Sequence, residues 1–332
     1  MEDVQRIING IGINDLERQS FLISGGAGFL GSYLCDTLVK LKAEVTCLDN
    51  FSTGLNENVS HLFNLKNFRL LSENVSSFNN DEKYDFVLHL ASRASPEDYQ
   101  QHPVETLLAN SLGSQKMLEI AGKNDSTILF TSSSEVYGDA KVVPTPESYW
   151  GNVNPVGVRS CYDEGKRFSE ALFMAYYRQN GLDVKIVRIH NTYGPRLRCD
   201  GTYARAVSRF IMQALKNENI TVYGDGKQTR SLCYVSDTIT GILLALFSKK
   251  CKGEAINIGN PAEISVLELA ELIKKVTNSS SQITFHPLPK DDPKRRCPNI
   301  NKAASLLGWK PKVGLREGLD RTIGWFKKAL MN

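Results

Sequence analysis

The chain has 332 residues, of which 41% are hydrophobic and 23% are charged, and this composition is ordinary for a globular enzyme. Its 40 basic and 36 acidic residues give a formal net charge of +4 and are spread along the chain. Nucleic-acid binding usually needs a one-sided excess of positive charge, so we expect no nucleic-acid partner. No apolar run approaches the roughly 20 residues that cross a bilayer, so we also expect no membrane span.

The seven cysteines are scattered and never form a C-x-x-C pair. An odd number without paired spacing argues against a disulfide framework and against a zinc site. Reduced thiols are typical of the cytosol, so we expect a cytoplasmic location and no metal. Residues 1–19 carry acids where a secretory signal needs a basic start, and we interpret them as a short helical or loose extension.

From Phe21 onward, short apolar segments alternate with longer helical periods. Five segments predict buried strands, and these are residues 21–24, 44–49, 84–91, 126–132 and 183–190. The segments between them have helical spacing, as in residues 29–42 and 103–123. This alternation predicts an α/β fold with a doubly wound parallel sheet of the Rossmann type.

The alternation of predicted strands and helices becomes less regular after residue 190, and no repeat or low-complexity linker follows. We therefore predict three parts: an N-terminal extension over residues 1–19, a Rossmann domain over residues 20–190, and a smaller mixed lobe over residues 191–332. The lobe is expected to bind the substrate and to pack closely on the Rossmann domain.

A glycine-rich loop lies between the first predicted strand and the first predicted helix. Gly25, Gly28 and Gly31 allow a tight turn and a close approach of the backbone to a pyrophosphate. Asp49, at the end of the second predicted strand, is placed to accept hydrogen bonds from an adenosine ribose and to repel a 2′-phosphate. The pattern predicts NAD rather than NADP. The predicted cofactor-binding residues are Gly25, Gly28, Phe29, Leu30, Gly31, Asp49, Asn50, Asn74, Val75, Leu90, Ala91, Ser92, Tyr162 and Lys166.

A candidate reactive centre follows the fourth predicted strand. Ser133, Ser134 and Glu135 continue that strand, and so are expected at the carboxyl edge of the sheet, where open α/β folds place their chemistry. Tyr162 and Lys166 are four residues apart, which puts them on one helix face. An ammonium near a phenol favours the phenolate, and a phenolate can take a proton from a sugar hydroxyl.

These motifs resemble the extended short-chain dehydrogenase/reductase family of nucleotide-sugar enzymes over residues 20–330. The matching segments include "GGAGFLGSYL", "SSSEVYGD", "YDEGK", "NTYGPR" and "LGWKP". Within the family, residues 134–167 resemble the UDP-glucuronate decarboxylases, which form UDP-xylose. The resemblance implies tightly bound NAD, with Tyr162 as the base, Lys166 lowering the pKa of that tyrosine, and Ser133 or Ser134 bonded to the sugar O4.

Glu135 bears on the choice of reaction. Related dehydratases carry an Asp-Glu pair where this chain has Ser134-Glu135, and simple 4-epimerases usually have no carboxylate at either place. The decarboxylases have Ser-Glu, so the resemblance implies loss of the C6 carboxylate from a 4-keto sugar, with Glu135 handling the C5 proton or its water. Three alternatives stay open: a 4-epimerase acting on UDP-glucose or UDP-glucuronate, a 4,6-dehydratase, and a non-enzymatic NAD-sensing scaffold.

The resemblance also implies substrate contacts. Asn191 and Arg230 would hold the diphosphate of a UDP-sugar, and Arg296 would bind the sugar carboxylate, with Arg295 as an open alternative. Arg93 stands where the decarboxylases usually have proline and adds a cation near the sugar or the cofactor phosphates. Three further departures are His190 in place of an aromatic residue, Asn74 in place of an aspartate, and a longer loop after "GPR".

Relatives usually form homodimers through two helices from each subunit. The matching stretches here are residues 103–121 and 167–179, so we expect a homodimer.

Overall fold

A seven-stranded parallel sheet organises the fold of this computed structural model, which describes residues 2–289 and 291–331. The outer ends of the predicted extension and of the predicted lobe, Met1 and Asn332, lie outside the described residues. The strands are β1 (Ser20–Ser24), β2 (Glu44–Leu48), β3 (Phe68–Leu71), β4 (Phe86–His89), β5 (Thr127–Ser133), β6 (Val184–Ile189), β7 (Thr192–Tyr193), β8 (Ile220–Tyr223), β9 (Thr229–Ser231), β10 (Cys233–Tyr234), β11 (Glu254–Ile258), β12 (Glu263–Ser265), β13 (Ile283–His286) and β14 (Arg295–Arg296).

Helices cover both faces of the sheet and build most of the remaining structure. The α-helices are α1 (Glu2–Ile11), α2 (Phe29–Lys40), α3 (Pro96–Gln101), α4 (Pro103–Asn110), α5 (Leu112–Asn124), α6 (Ser160–Asn180), α7 (Ala206–Leu215), α8 (Val235–Phe247), α9 (Val266–Thr277), α10 (Asn301–Leu307) and α11 (Leu315–Met331). Short 3-10 helices span Asn56–Asn58, Ser60–Leu62, Ser134–Tyr137, Gly201–Tyr203 and Lys249–Cys251. No helix within the described ranges is both long enough and apolar enough to span a membrane.

The strand order of the large sheet is β11-β6-β5-β4-β1-β2-β3, and every neighbouring pair is parallel. Parallel strands with both faces covered read as continuous apolar runs, and β1 follows this rule because Phe21, Leu22 and Ile23 are fully buried. The order reverses direction between β1 and β4, which opens a crevice at their carboxyl ends. The predicted doubly wound sheet is confirmed.

All five predicted strands belong to the large sheet, but β3 and β11 were not predicted. β11 comes from the segment after residue 190 and pairs with β6, so that Ile256 lies opposite Val187. The large sheet therefore crosses the predicted domain boundary at residue 190. The division of the chain into domains at this residue stays a prediction.

The sequence left open whether the N-terminal segment is a short helix or a loose extension. In the structure it forms a helix, α1. In α1, the buried side chains Val4, Ile7, Ile8 and Ile11 join the main hydrophobic core, and the helix packs against α2 and α8. The Tyr234 hydroxyl donates to Asp3 at 3.0 Å, which adds a polar tie to this packing. The segment is therefore part of the core.

A small three-stranded sheet, ordered β12-β9-β14, positions two cations of the second part of the chain. β14 pairs with β9 in parallel, and this register places Arg296 opposite Arg230. Two like charges side by side on neighbouring strands repel each other, so the arrangement needs anionic partners nearby.

Candidate active site

A cavity of about 680 Å³ lies at the carboxyl edge of the large sheet. It is bounded by the glycine-rich loop after β1, the ends of β4 and β5, the start of α6, and residues of β9 and β14. Apart from Arg295, the open alternative to Arg296, every cofactor-binding, catalytic and substrate-binding residue predicted from the sequence lines this cavity. The fold thus brings together groups that are up to 271 residues apart in the chain, such as Gly25 and Arg296.

The glycine-rich loop, with Gly25, Gly28 and Gly31, forms a concave backbone surface that larger side chains would fill. We call this surface the glycine cradle. Gly25 has a φ of +75°, which favours glycine, and a Cβ there would lie 2.8 Å from the backbone nitrogen of Ala91. A Cβ on Gly31 would lie only 2.1 Å from the carbonyl oxygen of Gly25. Gly28 is the N-cap of α2, so the amide end of this helix faces the cradle. The geometry fits a dinucleotide pyrophosphate.

Asp49 is held rigidly beside the same cradle. Its Oδ2 accepts a hydrogen bond from the Ala27 amide at 2.9 Å, and its Oδ1 accepts one from the Phe51 amide at 2.9 Å. Burial raises the pKa of this carboxyl group, and the two amide hydrogen bonds act to lower it. Each oxygen has a further lone pair for a ribose hydroxyl, so the residue fits its predicted role.

Tyr162 and Lys166 lie on one face of α6 and are both buried. The ring of Tyr162 stacks on that of Tyr99 with the centroids 5.1 Å apart, and the Lys166 Nζ donates to the carbonyl oxygen of Thr131 at 2.9 Å. Burial lowers the pKa of Lys166 to about 7. Burial also raises the pKa of Tyr162 to about 12, although a hydrogen bond with Ser133 acts to lower it. The direction for Tyr162 differs from the one that the resemblance implies, because the phenol is desolvated.

Glu135 is bound by two guanidinium groups. Its Oε2 accepts hydrogen bonds from the Nη2 of Arg159 at 2.6 Å and from the Nη2 of Arg296 at 2.7 Å. Burial acts to raise the pKa of Glu135, but the charges of Arg296 and Arg159 outweigh it and lower the pKa to about 2. Glu135 is therefore a carboxylate at neutral pH, and it accepts hydrogen bonds rather than donating a proton.

Among the charged residues of this cavity that the sequence reasoning missed, Arg159 and Asp292 contact the predicted site residues directly. Arg159 bridges Glu135 and Asp292, since its Nη1 lies 3.7 Å from the Asp292 Oδ1. The Asp292 Oδ2 in turn accepts a hydrogen bond from the Nη2 of Arg230 at 2.7 Å. Only their positions in the sequence could have indicated these two residues. Arg159 lies one turn before Tyr162, and Asp292 lies just before β14.

The structure separates the two arginines that the sequence left as alternatives. Arg296 lines the cavity, and its Nη1 donates to the carbonyl oxygen of Ser134 at 2.5 Å. Arg295 is exposed and pairs with Glu263 on β12 at 2.5 Å. Successive strand residues point to opposite faces, which explains why only one of the two reaches the cavity.

The residues at which the chain departs from the decarboxylases also line the cavity. Arg93 pairs with the buried Asp98 at 2.5 Å, so its charge is compensated within the protein. Burial lowers the pKa of His190 to about 3, so this ring is neutral at physiological pH. Asn74 accepts a hydrogen bond from the Ser76 amide at 2.9 Å. Within residues 2–289 and 291–331, no group of three or more His, Cys, Asp or Glu side chains could hold a metal ion.

A family model described as the NAD dependent epimerase/dehydratase family matches residues 21–259. The chain belongs to this family. Its cofactor is NAD, which fits the glycine cradle and the position of Asp49. The predicted relationship to the extended short-chain dehydrogenases/reductases is confirmed.

Two UDP-glucuronic acid decarboxylases and one 4-epimerase are similar to this protein over most of the chain. UDP-glucuronic acid decarboxylase 3 of Arabidopsis thaliana is 50% identical over 299 residues, covering 90% of this chain and 86% of the relative. UDP-glucuronic acid decarboxylase 1 of Xenopus tropicalis is 46% identical over 318 residues, covering 96% of this chain and 74% of the relative. A crystal structure of UDP-glucuronic acid 4-epimerase from Bacillus cereus, in complex with UDP-glucuronic acid and NAD, has 29% identity and a TM-score of 0.83, covering 93% and 99% of the two chains.

Replacing Gly25 by alanine tests the cofactor cradle. We expect Gly25→Ala to lower the NAD content of the purified protein at least tenfold, because the new Cβ meets the backbone of Ala91 and the φ of +75° disfavours alanine. Gly122→Ala is the matched control, since a Cβ there has no neighbour within 4 Å. NAD released on denaturation is measured by chromatography per mole of protein. Wild-type NAD content in Gly25→Ala would contradict the assignment.

The lowered pKa of Glu135 predicts a pH-dependent contribution to stability. Its folded pKa of about 2 lies below the value of 4.5 that is usual for a glutamate in the unfolded chain, so the stabilisation is present above about pH 4.5 and is lost as the pH falls towards 2. We expect Glu135→Gln to be less stable than wild type at pH 7, by about 3 kcal/mol, because two guanidiniums lose a buried partner. The difference should narrow between pH 5 and pH 3 in calorimetric melts. A constant difference across this range would argue against the ion pairs.

Proposed function

We propose that this protein is an NAD-dependent UDP-glucuronate decarboxylase, a carboxy-lyase that forms UDP-xylose through a 4-keto intermediate. The observation that carries the proposal is the pairing of Glu135 with both Arg159 and Arg296 in the cavity that holds Tyr162 and Lys166. Two guanidiniums against one carboxylate leave a surplus positive charge, which complements a uronate better than a neutral hexose. The relatives named as decarboxylases support the same activity.

The first step needs a base at the sugar O4. NAD, when bound, accepts a hydride from C4 and later returns it. Tyr162 is the proposed base, and Ser133 or Ser134 would hydrogen-bond O4, because these side chains line the same cavity and Ser133 already bonds to Tyr162. Lys166 favours the phenolate when it is protonated, and its pKa of about 7 makes that contribution sensitive to pH near neutrality.

Decarboxylation follows from the chemistry of a β-keto acid. With a ketone at C4, the bond between C5 and the C6 carboxylate breaks, carbon dioxide leaves, and the electron pair moves into the C4 carbonyl. The resulting enolate takes a proton at C5. Glu135 is ionised at neutral pH, so its proposed role is to hold the water that delivers this proton rather than to donate one itself.

The nucleotide end of the substrate would be bound by the second part of the chain. Asn191 and Arg230 line the cavity and are the proposed diphosphate ligands, while Arg296 is the proposed partner of the sugar carboxylate. Arg93 is a further cation of the cavity wall, although Asp98 compensates it. We also propose that residues 20–190 bind the cofactor and residues 191–332 bind the nucleotide sugar, since β9 and β14 supply Arg230 and Arg296.

A 4-epimerase is the second candidate function. It is favoured by the similarity to the Bacillus cereus UDP-glucuronic acid 4-epimerase, whose fold matches over 93% of this chain. Epimerisation shares the oxidation at C4 but keeps the carboxylate and rotates the keto sugar before reduction. A dehydratase is disfavoured, because Ser134 supplies a hydroxyl where that reaction needs a second acid.

We propose a cytoplasmic compartment from the state of the cysteine thiols. All seven cysteines are free in the described structure, and all but Cys199 are buried. Free thiols are typical of a reducing environment, which supports a cytoplasmic location.

Product analysis tests the proposed activity. We expect the purified protein to convert UDP-glucuronate to UDP-xylose and carbon dioxide, as followed by proton NMR with and without added NAD. Tyr162→Phe should lower kcat at least 100-fold, because the base is lost. Tyr176→Phe, on the same helix, is the control and should keep wild-type turnover. Formation of UDP-galacturonate instead would contradict the proposed decarboxylase activity and support the 4-epimerase.

A homodimer is proposed through α4, α5 and α6, because these helices expose apolar side chains. Leu107 is 41% exposed and Phe168 is 50% exposed, and α4 packs against α6, so the two residues belong to one helical layer. We expect Leu107→Glu combined with Phe168→Glu to convert a dimer into a monomer in sedimentation velocity. Phe285→Glu, at a 56% exposed site on β13, is the control and should leave the dimer intact. A monomeric wild-type protein would contradict the proposal.

A further inference from the structure

Asp292 is an acidic side chain placed among the cations of the cavity. Its Oδ2 accepts a hydrogen bond from the Nη2 of Arg230 at 2.7 Å, and its Oδ1 lies 3.7 Å from the Nη1 of Arg159. The side chain lines the cavity and is 23% exposed, so an anionic ligand bound at Arg230 would approach it directly.

These contacts belong to a continuous series of ion pairs. Arg159 uses Nη1 towards Asp292 and Nη2 towards Glu135, and Glu135 also binds Arg296. The series thus begins at Arg230 and ends at Arg296, and its three guanidiniums and two carboxylates leave one positive charge. One end lies at the proposed diphosphate site and the other at the proposed sugar carboxylate site.

Asp292 and a diphosphate would compete for the same donor. A guanidinium binds carboxylate and phosphate oxygens with the same fork of N–H groups, and Asp292 takes the Nη2 of Arg230. Asp292 must therefore weaken the binding of any diphosphate that Arg230 holds.

At the sugar end, the same carboxylate acts by positioning Arg159, whose Nη1 lies 3.7 Å from it, whereas the Nη2 of Arg230 lies at 2.7 Å. Asp292 contacts Arg159 and so helps to hold that guanidinium beside Glu135, where its charge attracts a carboxylate on the sugar. A ligand with both a diphosphate and a uronate carboxylate gains the second attraction, whereas a ligand with the diphosphate alone does not.

We propose that Asp292 is a specificity-determining residue that disfavours nucleotide diphosphates lacking a sugar carboxylate and thereby promotes release of the decarboxylated product. This inference rests on the proposed function, in which the substrate carries the carboxylate and the product has lost it. After decarboxylation, only the diphosphate contacts remain, and Asp292 competes with them for Arg230.

Titration of UDP into the NAD-loaded protein tests the proposal without using catalysis. We expect Asp292→Asn to bind UDP about tenfold more tightly than wild type by isothermal calorimetry, equivalent to about 1.4 kcal/mol. Asp291→Asn is the matched control, because this exposed neighbour contacts the amide of Asn154 at 3.5 Å, and its UDP affinity should stay within twofold of wild type. Asp292→Ser removes the same charge and replaces Asp292→Asn in the UDP titration if that variant does not fold.

A double variant checks that the effect passes through Arg230. The gain from Asp292→Asn should disappear in an Arg230→Gln background, since the competition then has no shared donor. The inhibition constant of UDP-xylose should also fall about tenfold in Asp292→Asn. UDP binding that is unchanged or weaker in Asp292→Asn, or a gain that persists without Arg230, would overturn the proposal. Failure of the wild type to form UDP-xylose would reject the proposed function, while the UDP titration would still report on Asp292.

Discussion

The ion pairs of Glu135 with Arg159 and Arg296 are the interaction on which the site depends most. They join three elements that are far apart in the sequence: the end of β5, the start of α6, and β14. A carboxylate with only 17% of its side chain exposed would be costly without cationic partners, and each guanidinium would be costly without the carboxylate. The parallel register of β9 and β14 adds to this constraint, because it sets Arg230 beside Arg296 and so requires anions between them.

The same electrostatics connect the fold to the chemistry. Because the two arginines hold Glu135 ionised, this residue is a hydrogen-bond acceptor throughout the physiological pH range. In the proposed reaction, the proton delivered to C5 would therefore come from a donor other than Glu135, such as a water that Glu135 binds. Burial has the opposite consequence for Lys166, whose pKa of about 7 brings its titration into the working range. Desolvation thus dominates the pKa of Lys166, whereas the charges of two adjacent guanidiniums outweigh desolvation at Glu135.

Local patterns in the sequence predicted five of the seven strands of the large sheet and the residues of the glycine-rich loop. The glycine spacing and Asp49 depend on backbone geometry within one strand-loop-helix unit and the strand after it, so their positions could be predicted from nearby residues. Strands with continuous apolar runs, such as β1 and β5, were also predictable. β3 and β11 were missed, because the polar residues Arg69 in β3 and Asn257 in β11 interrupt their apolar runs.

The sequence by itself determined the family, the parallel sheet, the glycine cradle and the placement of Tyr162 and Lys166 on one helix face, because each follows from short motifs or from the alternation of apolar and helical segments along the chain. The tertiary structure alone decided that Arg296 rather than Arg295 faces the cavity, and that Arg159 and Asp292 belong to the site. It also decided the charge state of Glu135. These properties depend on burial and on contacts between distant segments, and neither quantity is encoded in local spacing.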